Sequence, residues 1–241
     1  MNLDGKTALV TGGAVRLGRA LCEALAARGC RVVVHCRESR EEAAALARRL
    51  SGHGRKSLVV CGDLGSEQGC RAILADARAA AGAIDFLVNN ASVFHCRPIR
   101  LVDGGLVERD FRINLFAPLA LIRDFARQTK RGAVVNVLDE RVSRVTTGEM
   151  PYWLTKRALA DLTLGAALEL APRIRVNAVA PGPVLAPVEG SLPARKRKAG
   201  KIPLGARPTP ADVADAVVYL LESEAVTGQI VYVDGGRHLL D

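Results

Sequence analysis

Thr7-Ala8-Leu9-Val10-Thr11-Gly12-Gly13-Ala14-Val15-Arg16-Leu17-Gly18 is the stretch whose reading decides the fold. Thr7 to Val10 reads as a short strand of the fully buried kind, and a helix over roughly Leu17 to Arg28 follows it. Glycines between a first strand and a first helix let the backbone approach a pyrophosphate, which the helix N-terminus also attracts. Gly12, Leu17 and Gly18 are therefore candidate cofactor-binding residues. Arg16 occupies the middle of the turn, where a third glycine is expected, and places a cation beside phosphate or substrate.

Outward from this unit the strand-then-helix alternation repeats. Strands are expected at Arg31 to His35, Ser57 to Cys61, Asp85 to Val88, Ala133 to Val137, Ile174 to Val179 and Ile230 to Val233. Helices are expected from about Glu41 to Leu50, through Ala72 to Ala81, and around Tyr152. The strand runs are continuously apolar rather than alternating, which means burial on both faces and a parallel sheet between two helix layers. Seven such strands make a single α/β domain over residues 1–241, a doubly wound Rossmann-type sheet with ligands at the carboxyl ends of its strands. The proline-rich, basic segment from Pro181 to Pro210 has the weakest periodicity, and about 183–207 is expected to form a substrate-side lid.

At 241 residues the chain can bury a sizeable core without metals or disulfides. Its 49% hydrophobic content holds only 4% aromatic residues, which suits helices packed on a parallel sheet. No signal peptide is read at Met1 to Lys6, and no run approaches the roughly 18 apolar residues that cross a bilayer. Six cysteines without a C-x-x-C pair read as reduced core thiols of a cytoplasmic protein, and no metal site is expected. The net charge of +9 is scattered, and the one dense run, Arg195 to Lys198, has no aromatics beside it for base stacking. A small anionic ligand is the expected partner, not nucleic acid and not a membrane.

Tyr152 and Lys156 lie four residues apart and share a helix face, so the ammonium is expected to lower the phenol's pKa toward neutrality. After the second strand come His35, Arg37, Ser39 and Arg40, with no carboxylate at positions 35 and 36. An acid there usually meets a free ribose 2′-hydroxyl and an arginine meets a 2′-phosphate, so NADPH is the expected cofactor. Asp63 and Leu64, after the third strand, are candidates for the adenine end.

With Gly12, Gly18, Asn89-Asn90-Ala91, Asn114, Tyr152-x3-Lys156 and Pro181-Gly182 in this order, the chain resembles the short-chain dehydrogenase/reductase family over nearly its whole length. The resemblance implies that Tyr152 donates a proton, Lys156 binds the nicotinamide ribose and Asn114 holds a relay water. It also implies that Asn89 braces the sheet, and that Asn90, Ala91, Pro181 and Gly182 line the cofactor. Where the family usually has a serine thirteen residues before the tyrosine, this chain has Asp139. A carboxyl group there suits a substrate whose ring nitrogens must be protonated or hydrogen-bonded. Together with Arg16, Ser92 and Phe94, it makes the chain similar to the pteridine-reductase branch. In that branch Phe94 would stack on the pterin, and Ser92 and Arg16 would line its pocket. Ala186 departs from the threonine many relatives carry.

The expected activity is therefore NADPH-dependent reduction of a pterin-type heterocycle, with Tyr152 and Asp139 organising proton transfer. The alternatives are a carbonyl reductase, such as one acting on a 3-oxoacyl thioester, and a non-catalytic NADP(H)-sensing protein. Family resemblance further implies a homotetramer, with the helix after Pro151 packed on its symmetry mate.

Overall fold

The computed structural model describes residues 1–51, 56–185 and 201–240. Its seven strands are β1 (Thr7–Val10), β2 (Arg31–Cys36), β3 (Leu58–Cys61), β4 (Phe86–Asn89), β5 (Gly132–Val137), β6 (Ile174–Pro181) and β7 (Ile230–Val233). They form one parallel sheet in the order β3-β2-β1-β4-β5-β6-β7. The order reverses between β1 and β4, which opens a crevice at the carboxyl ends of those two strands.

Successive side chains of each strand enter opposite layers, so both faces must be apolar. Ala8 and Val10 of β1 join one core with α1 (Arg16–Ala27), α2 (Arg40–Leu50) and α7 (Pro210–Glu222). Leu9 joins a second core with α3 (Glu67–Ala81), α5 (Ala117–Gln128) and α6 (Met150–Leu170). Fully burying one leucine or phenylalanine in such a layer is worth about 1.5–3 kcal/mol, which fixes the register. The edge strands β3 and β7 are only partly covered.

The sequence reading left residues 99–128 and 210–222 without helices. The structure has α4 (Gly104–Phe111), one turn of π-helix (Arg112–Phe116) and α5 in the first region, and α7 in the second. Asp103 caps α4 through the Leu106 N–H, and Thr209 with Asp212 forms a capping box on α7 with Pro210 in its first turn. Of the expected lid, residues 186–200 lie outside the described residues, and so do Ala186 and the basic run Arg195 to Lys198. Among the described residues no helix is long and apolar enough to cross a membrane.

Candidate active site

Every strand of the inner sheet delivers something to the crevice. After β1, Gly12 takes φ +59°, and a Cβ on Gly18 would lie 2.0 Å from the Gly12 carbonyl oxygen. The turn and the first turn of α1 thus touch backbone to backbone, which only glycine at position 18 allows. Val15, at the N-cap of α1, offers no side-chain cap, and the start of the helix faces the turn with the positive end of its dipole. Arg16 holds φ +55°, a left-handed conformation costing roughly 1–2 kcal/mol in a non-glycine residue. Strain of this kind persists where the surroundings over-determine it. A close backbone cradle, a helix N-terminus and a cation fit the pyrophosphate of a dinucleotide.

Two side chains expected at the cofactor act on the turn itself. The Gly12 N–H donates to His35 Nδ1 at 3.2 Å, and His35 Nε2 lies 3.2 Å from the Gly62 carbonyl, so both ring nitrogens are spent. Burial lowers the His35 pKa, in keeping with a neutral ring carrying its proton on Nε2. His35 thus reaches a cofactor only through Gly12. Asn90 Nδ2 donates to the carbonyls of Thr11 at 2.9 Å and Gly12 at 3.0 Å, and the N–H groups of Asn90 and Ala91 donate to Thr11 Oγ1. Asn89 Nδ2 donates to Asn136 Oδ1 at 2.9 Å, tying β4 to β5. At the adenosine end, Arg37 pairs with Glu38 at 2.5 Å, and Arg37, Asp63, Arg109 and Arg112 line one groove. Asp63 accepts from the Gly65 N–H, Leu64 is buried in the core, and Ser39 precedes α2 as its N-cap. Pro181 ends β6, and Gly182 packs so closely on Asp234 that a Cβ there would lie 2.8 Å from Asp234 Cβ.

The chemical end gathers around α6. Tyr152 Oη donates to Asp139 Oδ2 at 3.0 Å, and the Phe94 ring meets the Tyr152 ring edge-on at 4.7 Å between centroids. Asp139 also caps the turn at 140–143, Oδ1 accepting from the Arg141 N–H at 3.0 Å, so it is at once a cap and a partner of the tyrosine. Lys156 is buried, donates to the Val137 carbonyl at 2.8 Å and sits 5.8 Å from the Tyr152 ring centroid.

This placement reverses the sign expected for the phenol. Burial first, and then the Asp139 charge, raise the Tyr152 pKa well above its ordinary value of 10. The Asp139 carboxylate lies 3.0 Å from the phenolic oxygen and accepts its hydrogen bond, which favours the protonated phenol. Burial also lowers Lys156 itself to about 8. Tyr152 is therefore a protonated donor at neutral pH.

Asn114 lies in the π-helical turn, a feature that often marks functional sites. Its Oδ1 accepts from the Val93 N–H and Ser92 Oγ, and its Nδ2 donates to the Val93 carbonyl and Thr155 Oγ1. All four positions of the amide are filled. A relay water would meet this residue at its backbone, while the side chain fastens the Ser92–Phe94 loop to α6.

The sequence reading passed over two charged residues that stand in this cluster. Arg141 Cζ lies 5.6 Å from the Phe94 ring centroid, and Glu149, buried just before α6, lies 3.0 Å from Arg141 Nη1. Neither belongs to a periodic pattern or motif, so no signal in the sequence marked them. Among the described residues no group of three or more histidine, cysteine, aspartate or glutamate side chains is placed to hold a metal.

Against known proteins, a family model described as Enoyl-(Acyl carrier protein) reductase matches residues 13–238. The chain is similar to the solved structure of FolM alternative dihydrofolate reductase 1 from Brucella canis complexed with NADP. The two are 38% identical with a TM-score of 0.93, over 100% of this chain and 96% of that one. Pteridine reductase 1 of Leishmania tarentolae is 34% identical over 277 residues, 96% of each protein. Glucose and ribitol dehydrogenase homolog 2 of Arabidopsis thaliana is 34% identical over 248 residues, 97% of this chain and 86% of that protein.

Proposed function

Because this chain belongs to the short-chain dehydrogenase/reductase family of oxidoreductases, we propose that it is an NADPH-dependent reductase of a pterin-type heterocycle, dihydropteridine or dihydrofolate-like. The observation that carries this reading is the Tyr152–Asp139 hydrogen bond beside the Phe94 ring. A phenol held in its protonated form by a carboxylate is a positioned acid, and a flat heterocycle needs an aromatic face and a proton for its ring nitrogen. The NADP named with the Brucella structure and the substrate class named by the Leishmania relative support it.

NADPH, when bound, supplies the hydride. Gly12, Gly18 and the start of α1 would hold its pyrophosphate, and Arg37 would meet the 2′-phosphate as a planar fork. Asn90, Ala91, Pro181 and Gly182 would line the nicotinamide half, and Lys156 would bind its ribose. Tyr152 would release its phenolic proton to the substrate's ring nitrogen, while the Lys156 ammonium and the Arg141 guanidinium face the phenolate that remains. Ser92 and Arg16 would border the heterocycle stacked on Phe94.

NADPH consumption with dihydrobiopterin, dihydromonapterin, dihydrofolate and an acetoacetyl thioester, each repeated with NADH, tests the proposal. Turnover of a pterin with NADPH preferred is expected. Turnover of the thioester alone would establish the carbonyl-reductase reading. Tight NADPH binding without turnover of anything would make the chain a sensor, and equal use of NADH would overturn the cofactor assignment.

A pH dependence follows from Lys156. With a pKa of about 8, its charge is present below pH 8 and is lost as pH rises through that value. The profile of kcat/KM reports groups of the free enzyme. It is expected to fall above pH about 8, and Lys156→Arg, whose guanidinium stays charged, is expected to move that limb upward. A limb that stays in place in the variant would belong to another group.

The homotetramer also stands as a proposal. Leu154, Leu164 and Leu168 of α6 are exposed, as are Phe116 and Leu119 before and within α5. Burying such side chains against a second copy would remove their contact with water. Light scattering giving a monomer of 25.6 kDa would refute it.

A further inference from the structure

We infer that Arg141 is a positioning residue for proton transfer, locking Asp139, Phe94 and Tyr152 into one block. The inference rests on the reading of Tyr152 and Asp139 as the acid pair. A carboxylate is free to turn about its Cβ–Cγ bond and exchange its two oxygens. Here Arg141 takes Oδ1 twice, by its backbone N–H at 3.0 Å and by Nε at 3.5 Å. That leaves Oδ2 for Tyr152 Oη at 3.0 Å.

The same guanidinium lies over the face of Phe94, whose edge contact with Tyr152 spans 4.7 Å between centroids. A cation is attracted to an aromatic face, so the plane offered to a flat substrate is set by the group that orients the acid's partner.

Arg141 is itself held firmly. Its carbonyl accepts from Trp153 Nε1 at 3.0 Å. Its Nη1 stands 3.0 Å from Glu149 Oε1, at an angle that makes an ion pair and no hydrogen bond. Asp139 and Glu149 raise the Arg141 pKa against the effect of burial, so the cation persists. An arginine serving only to anchor the turn at 140–143 would need none of the contact with Phe94. It would also leave the reaction indifferent to the shape of the charge at this point.

Full-length Arg141→Gln and Arg141→Lys, assayed with NADPH and whichever substrate the unmodified protein turns over, test the assignment. In Arg141→Gln, kcat is expected to fall on the order of 10²-fold, the lower end of what a positioned acid contributes. NADPH affinity is expected to stay within about threefold, because the residue is assigned to the acid pair and not to the cradle. Added guanidinium ion is expected to restore part of kcat. Arg141→Lys, which keeps charge but loses the planar fork, is expected to fall between the two.

A folded Arg141→Gln with kcat within about twofold of the unmodified protein overturns the inference. So does a loss that guanidinium leaves untouched and that NADPH affinity shares. If Arg141→Gln fails to fold, as Trp153 fluorescence would reveal, a folded Arg141→Lys with full kcat overturns it equally. Reduction of carbonyls alone would end the pterin reading and leave Arg141 to be judged on the carbonyl. No turnover by the unmodified protein ends both.

Discussion

Tyr152→Phe is expected to bind NADPH as the unmodified protein does and to lose 10²–10⁴-fold in kcat for every substrate it reduces, because it removes a single positioned acid. The ring that meets Phe94 edge-on remains, and the turn proposed to hold the NADPH pyrophosphate is formed by Gly12 and Gly18 and braced by His35, without the phenolic hydroxyl. The deleted hydroxyl is the donor to Asp139 Oδ2, whose carboxylate then keeps Arg141 but loses the tyrosine. An acceptor left short of a partner in a largely buried place costs about 1–3 kcal/mol. In a chain of this size each 1 kcal/mol moves the thermal midpoint by roughly 2–4 °C, so a midpoint lower by a few degrees is expected. Calorimetry, NADPH titration and single-turnover rates separate the three effects. A variant keeping more than about a tenth of the rate would take the proton-donor role from Tyr152.

The contrast between what could be read and what could not follows from the range of the interactions. The strands were legible because burial on both faces of the inner sheet calls for near-continuous apolar runs, as in Val32 to Val34 and Ala133 to Val135. Their order also placed the glycine turn, Asn90, Tyr152 and Lys156 at one end of the sheet. Helix α4 was harder to see because it opens on Gly104-Gly105, residues that read as a turn, and its start is marked only by the Asp103 cap. The box of Thr209, Pro210 and Asp212 before α7 was a readable signal that went unused.

The electrostatics of the acid were less legible still. Spacing puts Lys156 on the face of Tyr152, but it does not reveal that the ammonium turns to the Val137 carbonyl while Asp139 comes into hydrogen-bond range. Nor does it bring Arg141, from the turn after β5, over Phe94, from the loop after β4. Those contacts join separate crossovers, and only the folded sheet sets them side by side.

Asp139→Ser is the substitution that separates substrate classes. Serine is a good cap, so the Arg141 N–H at the start of the 140–143 turn can still be satisfied. What disappears is the charge beside Tyr152 and one of the two close ion pairs of Arg141, the pair with Glu149 remaining. Removing one partner of a fully buried ion pair costs about 3–5 kcal/mol. The cost here should be smaller, because the side chains of Arg141 and Asp139 keep 21% and 16% of their exposure. The phenol also loses the neighbour that, after burial, raises its pKa most, so Tyr152 becomes the stronger acid of the two proteins. A neutral carbonyl needs only that phenol and a hydroxyl to orient it, and serine supplies the hydroxyl. A ring nitrogen on its way to protonation is better served by a carboxylate that can stabilise the developing positive charge. Pterin reduction is therefore expected to fall on the order of 10²-fold, while reduction of a simple ketone changes by less than about threefold or improves. The ratio of the two kcat/KM values in one preparation is the measurement, since it cancels any loss of folded protein. If that ratio is unchanged in a folded Asp139→Ser, the carboxylate is a cap and a counter-ion only, and a pterin substrate would rest on Arg16 and Phe94.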